Sequence, residues 1–297
     1  MKIINIIKKI IEYIKKNLYF ISFIVFLLFI ILYNKCIFMN NYIIKIDKWN
    51  GRLGNNIIQL INMIQIALYY NYEINIPAHS FFKYNNQKKI LNISNKLITN
   101  NYNFFYKNKI DNIDTKLFDC NIIKTKNILK NMFTIKQNSN FKKNKMIIHI
   151  RSGDIFTNCI HKDYINPPFY YYKKIIDENN CENIIIISED KNNPTIDKLL
   201  HNYSNIIFKQ QKLEEDIKLL LESEIVVMSI GSFVPSLLIL SDNVKKLYKP
   251  SYQSLEMYNN FFYNIEIINV DLDEYRSKQY PWKNTKEQND LLLNYTK

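Results

Sequence analysis

From residue 145 onwards one pattern repeats, and it leaves few folds open. Short, almost unbroken apolar runs occur at 146–150 (MIIHI), 183–188 (NIIIIS), 205–210 (NIIFKQ), 224–229 (EIVVMS) and 244–248 (VKKLY). Between them lie segments with helical character: PPFYYYKKIIDEN, NPTIDKLLHNY, KLEEDIKLLLES and GSFVPSLLILS. A strand that is apolar on both sides offers neither face to water, so both faces must be covered. Helices alternating with such strands supply that cover and return the chain in the same direction. The pattern predicts an α/β fold around a parallel sheet.

A shorter series precedes it. YIIKID (42–47) reads as a strand and WNGRLGNN as a turn. LGNNIIQLINMIQIALYYN then places Ile57, Leu60, Ile61, Ile64 and Leu68 at helical spacing, and EINIP follows as a strand. Residues 80–140 are rich in Asn and Lys with weak periodicity. The polar stretch KQNSNFKKNK, within 135–145, marks the natural boundary between two α/β halves, 41–144 and 145–297, the second ending in a C-terminal return segment.

The N-terminus has a different character. MKIINIIKKIIEYIKK (1–16) carries five lysines and one glutamate, and the uncharged stretch NLYFISFIVFLLFIILYN (17–34) follows. That length suits a bilayer core at ~1.5 Å rise per residue. The basic flank predicts a cytoplasmic tail, with the remainder across the membrane in a lumenal, ER- or Golgi-like compartment. NKCIFMNN lacks a small-x-small cleavage site, so the segment reads as a signal anchor rather than a cleaved signal peptide.

The net charge of +13 does not by itself indicate a nucleic-acid partner, and none is expected. Lys is spread along the chain together with Asn, Ile, Tyr and Phe, residues whose codons are AT-rich, and no dense basic block occurs beyond the N-terminus. Cys36, Cys120, Cys159 and Cys181 form no C-x-x-C pair, and no metal is expected. Cys159 and Cys181 are read either as a disulfide or as buried thiols.

Glycine is the informative residue. The chain has 4: Gly51 and Gly54 in WNGRLGNN, Gly153 in HIRSGDIF and Gly231 in MSIGSF. Each follows a predicted strand, where open α/β sheets bind ligands beyond the strands' carboxyl ends. Glycine there permits positive φ and close approach to bare backbone. Arg151 stands just past its strand, so its planar fork can present paired donors to a phosphate, and His149 projects from the same strand face. Asp154 is read as holding the arginine or a neighbouring loop, and a purely structural Arg151–Asp154 pair is the plainer alternative. Ser229 and Ser232, with the N–H groups near Gly231, suit an anion, and Phe233 suits a base or the core. No G-x-G-x-x-G or Walker motif occurs.

The ordered pair G-x-L-G-N-[QN] and H-x-R-x-[GT]-D resembles fucosyltransferases that use GDP-fucose. The layout is most similar to the α-1,2-fucosyltransferase family, and the GRLGN turn also resembles protein O-fucosyltransferases. The similarity spans roughly residues 43–250, and Asp216, sixteen residues before Ser232, extends it, matching an Asp before the family's S-x-F or SSF turn. The resemblance implies a GT-B architecture, two Rossmann-like domains facing a crevice, and metal-independent transfer of fucose with inversion to a glycan acceptor. By position it implies that Arg151 grips the pyrophosphate with His149 beside it. Gly51, Arg52, Gly54 and Asn55 would form the facing loop near the sugar. Asp216 would accept from guanine, and Ser232 and Phe233 would line phosphate and base. Ser152 replaces the second arginine of the frequent H-x-R-R-x-D pattern, and Asn56 stands where Gln is usual.

The expected activity is therefore membrane-anchored transfer from GDP-fucose, with no cofactor beyond that donor. Transfer from another nucleotide sugar and a non-catalytic, glycan- or nucleotide-binding relative are the alternatives, along with a polyanion-binding module. No catalytic base stands out; His79, His161, Glu73 and Asp163 are the candidates.

Overall fold

A computed structural model describes residues 2–37, 42–83, 97–101, 103–106, 118, 120–136, 145–157 and 161–297. The chain divides into two compact units, Met1–Ile43 with Ile90–Ile98, and Ile44–Lys89 with Thr99–Lys297.

The first unit holds α1 (Lys2–Ile37) and the two-residue β3 (Leu97–Ile98). Every described side chain of α1 is exposed, including Leu18, Phe20, Phe23, Phe26 and Leu28. The expected anchor, 17–34, falls on this helix, but the side chains of residues 21 and 29–34 lie outside those described. Among the described residues, no helix is long and apolar enough to cross a membrane.

The second unit is built on a six-stranded, wholly parallel sheet. Its strands are β4 (Lys145–His149), β5 (Asn183–Ile187), β6 (Ile206–Lys209), β7 (Ile225–Met228), β8 (Lys246–Pro250) and β9 (Glu266–Val270), in the order β6-β5-β4-β7-β8-β9. Numbered within the sheet this is 3-2-1-4-5-6, the order of doubly wound, Rossmann-like sheets, which reverses between β4 and β7.

Period-two alternation sorts the strand residues between two cores. Ile147, Ile185, Ile187, Val226, Met228 and Leu247 face one core. Met146, Ile148, Ile184, Ile186, Val227 and Tyr248 face the other. The helices sort with them. α4 (Phe169–Glu178), α5 (Pro194–Asn202), α8 (Asp273–Gln279) and α9 (Lys286–Asn294) contribute Tyr171, Ile196, Tyr275 and Leu292 to the second core. α6 (Leu213–Leu221) and α7 (Phe233–Leu238) contribute Leu220 and Leu237 to the first.

That first core also contains β1 (Ile43–Lys45), α2 (Leu53–Tyr70) and α3 (Ile122–Met132), through Ile44, Ile57, Ile61, Ile64 and Leu129. β2 (Glu73–Asn75) lies beside β1 in a small sheet, and the Ile46 N–H donates to the Asn75 carbonyl at 3.0 Å. Residues on both sides of the expected 135–145 boundary therefore share one hydrophobic core, and α2 packs directly on α7. Cys181 is a buried thiol; Cys159, its candidate disulfide partner, lies outside the described residues.

Candidate functional site

The reversal point of the sheet opens into a cavity of about 540 Å³, within the range of small-molecule sites. Its walls come from turns that follow strands. The turn after β1 and the start of α2 contribute Gly51, Arg52, Gly54 and Asn55; the turn after β4 contributes Arg151 and Asp154, with His149 at the strand end; the turn after β7 and the start of α7 contribute Gly231, Ser232 and Phe233. Asp216 completes the wall from the first turn of α6. Eleven of the twelve residues expected to contact the donor thus meet around one space, although up to 182 positions separate them.

Ser229 is the exception. It is fully buried behind the cavity, where its hydroxyl accepts the Arg151 N–H at 2.8 Å and its own N–H donates to the His149 carbonyl at 3.1 Å. It positions the arginine and does not line the cavity. Asn193 does the same from the other side. Its Oδ1 caps α5 through the Thr195 N–H at 3.0 Å, while its Nδ2 donates to the Arg151 carbonyl at 3.0 Å. The backbone of Arg151 is therefore pinned at both N–H and C=O.

Four of the charged side chains at the cavity form a ring. Arg151 Nη2 meets Asp154 Oδ1 at 2.5 Å, and Arg151 Nη1 meets Glu189 Oε1 at 3.2 Å. Arg52 reaches the same two acids, Asp154 Oδ2 at 3.4 Å and Glu189 Oε1 more closely. The Arg151–Asp154 pair anticipated from the sequence is real, but it is one side of a larger ring. Tyr164 lies 5.9 Å from the Arg151 guanidinium carbon, within cation–π range.

His149 is neutral. Burial, reinforced by the adjacent Arg151 charge, lowers its pKa to about 3. Its Nδ1 is buried with no hydrogen-bond partner, an unmet polar atom at the cavity wall. Phe233 packs on it with ring centroids 5.3 Å apart. Burial has the opposite effect on Asp216 and raises its pKa to about 6, although the Gln211 amide donates to it at 3.0 Å.

Ser152 is fully buried and absent from the cavity wall. Its hydroxyl bonds Asp190 and accepts the Asn193 N–H at 3.0 Å. Burial pushes the Asp190 carboxyl up, but bonds from Ser152 and the Asn192 and Gly153 N–H groups outweigh it and hold the pKa low. The second guanidinium at the cavity is Arg52, from the facing turn.

The turn after β7 differs from the expected anion cradle. The Gly231 N–H donates to Gln253 Oε1 at 3.0 Å and is engaged, while Ser232 Oγ donates to Asn55 Oδ1 at 2.6 Å, joining two turns. None of the four candidate bases lines the cavity. His161 pairs with Asp163 at 3.7 Å on the surface, and Glu73 is exposed on β2. His79 acts as a brace: its Nδ1 accepts the Phe81 N–H at 3.0 Å, leaving Nε2–H to donate to Asn56 Oδ1 at 3.2 Å. Asn56 Nδ2 in turn donates to the Asn50 carbonyl at 3.0 Å, steadying the turn that carries Arg52.

Tyr164, Glu189 and Gln211 line the cavity and went unread in the sequence. Glu189 follows β5 as directly as Arg151 follows β4, so the rule that found the arginine also reaches it. No group of three or more His, Cys, Asp or Glu able to hold a metal ion occurs among the described residues. The chain matches no family model, no curated protein and no solved structure.

Proposed function

We propose that the protein is an inverting glycosyltransferase of the fucosyltransferase type, moving fucose from GDP-fucose to a glycan acceptor without a metal. The observation that carries the reading is the convergence of the G-x-L-G-N turn, the H-x-R-x-G-D turn, the G-S-F turn and Asp216 on one cavity. A common ancestry with GT-B enzymes would account for that ordered set. The small β1/β2 sheet with α2 and α3 would be what remains of the first Rossmann-like half among the described residues.

The chemistry follows from the residues. As the bond to the anomeric carbon breaks, negative charge grows on the β-phosphate oxygens. Arg151, fixed by Ser229 and Asn193, and Arg52 from the facing turn supply cationic donors where that charge develops. Preorganised donors of this kind are commonly worth ~10²–10³ in rate each. His149, held neutral, can bond a phosphate or sugar oxygen without adding charge. Asp216, when ionised, can accept from the guanine N1–H and amino group, and Phe233 offers a face beside the base.

The segment 17–34 is proposed as a type II anchor, supported by its length, its lack of charge and its basic flank. The test is release of GDP from GDP-fucose in the presence of a panel of glycan acceptors. Arg151→Ala should lower turnover at least a hundredfold, with the thermal midpoint within a few degrees of the parent. Near-normal turnover by that variant would refute the assignment.

A further inference from the structure

Both guanidiniums that face the cavity are already engaged, and the two acids engaging them are not equivalent. Asp154 stands three residues from Arg151 on the same turn, and its side chain is 33% exposed. Glu189 comes from a different strand end, has a longer stem and is 44% exposed. Its Oε1 bridges the Nη1 atoms of Arg52 and Arg151. Its Oε2 fills the notch above Gly153, whose φ is +67° and where an added Cβ would collide with that oxygen. A carboxylate thus rests on bare glycine backbone between two guanidiniums, a place whose size, charge and donors suit a phosphate oxygen. The backbone below it is tied down, since Gln210 Nε2 donates to the Glu189 carbonyl at 3.3 Å, so the side chain is the part free to leave.

We infer that Glu189 is a built-in competitor for the anionic ligand. Its carboxylate occupies the diphosphate position and neutralises the arginines. A nucleoside diphosphate enters by displacing it, while Asp154 keeps Arg151 in place. The inference rests on the nucleotide-diphosphate reading of the cavity and adds a regulatory term. Apparent affinity is reduced by the fraction of molecules in which Glu189 holds the position. Product with a free diphosphate end is expelled as the carboxylate returns.

The test compares the full-length protein with Glu189→Gln and Glu189→Ala, by calorimetric titration with GDP and separately with inorganic pyrophosphate. Removing one negative charge and one occupant should tighten both ligands about tenfold in both variants. Unchanged or weaker binding of GDP and pyrophosphate in the variants overturns the competitor while leaving the nucleotide reading intact. Pyrophosphate tightening without any GDP binding upholds the competitor and refutes the nucleotide. If neither ligand binds any form, both ideas fall. Because the Glu189 side chain is nearly half exposed, both variants should fold, and the pair guards against a defect peculiar to one.

Discussion

Gly54 allows the sharpest test of how the two halves of the site are joined. It is the second residue of α2, and a Cβ there would lie 2.7 Å from the Ser232 carbonyl carbon and 2.8 Å from both the Ser232 oxygen and the Phe233 nitrogen. Ordinary carbon contacts begin near ~3.5 Å, so Gly54→Ala demands a local separation of roughly 0.8 Å. Two effects then oppose each other. Alanine is favoured over glycine inside a helix by up to ~1 kcal/mol. Overpacking costs ~1–3 kcal/mol, and the upper end applies because the struck atoms are main chain and cannot rotate away. The net is a destabilisation of about 2 kcal/mol, which for a chain of this size lowers the thermal midpoint by about 4–8 °C. The displaced joint also carries the Ser236 Oγ–Gly54 carbonyl bond at 3.0 Å and the Ser232–Asn55 bond at 2.6 Å, so ligand affinity should fall as well. Thermal melts of the parent and variant, with and without GDP, measure both. An unchanged or raised midpoint would refute the claim that close approach, rather than helix entropy, dictates glycine at this position.

Other consequences are as direct. If the Asp216 carboxylate accepts from guanine, affinity for GDP-fucose, whose diphosphate diester gains no proton near neutrality, should weaken as pH falls through about 6, the raised pKa of Asp216. Asp216→Asn should bind weakly and without that inflection, because His149, with its pKa near 3, stays neutral across the range; a persisting inflection near 6 in Asp216→Asn titrations would assign it elsewhere. In the free protein the sign is reversed. A carboxyl whose folded pKa lies above its unfolded value favours the fold at low pH, so Asp216 contributes stability that is lost as pH rises from about 4 through 6, and denaturant melts of the Asn variant should lack that slope. The proposed anchor predicts that the full-length chain stays with the membrane pellet after alkaline carbonate washing. Recovery in the supernatant would remove the anchor from the account.

Much of the parallel sheet is legible in the sequence because its physics is local. Unbroken apolar runs such as NIIII have only one place to go, and five of the six parallel strands fall within about two residues of the runs that announce them. β9 escaped notice because EIINV sits at the sheet edge, partly exposed, and mixes polar with apolar residues. The 3-2-1-4-5-6 order, by contrast, is not written in any segment. α3 was hidden for another reason: it buries Thr125 and Lys126 along with Leu129 and Met132, so its inward face does not look apolar. In α2 a polar stripe at every third position disguises a scaffold. Gln59, Asn62 and Gln65 are buried and donate to the carbonyls of Asn103, Phe104 and Phe118 at 2.9, 2.7 and 2.6 Å, fixing irregular backbone against the helix.

The candidate site divides along the same line. Scarce glycine, an arginine just past a strand and an aspartate at a helix start are visible in one dimension, because turn geometry and strand ends follow from neighbours in the chain. Glu189, Tyr164 and Gln211 became visible only when β5 took its place beside β4, since their importance lies in what they face. The same holds for the demotion of Ser229 from ligand contact to support, and for the supporting role of Ser152. By itself the sequence determined that a covered parallel sheet would form and that glycine-bearing turns would follow its strands. Tertiary structure alone decided which turns meet and which charges oppose one another, because pairing between charges depends on distances in space that no spacing along the chain specifies.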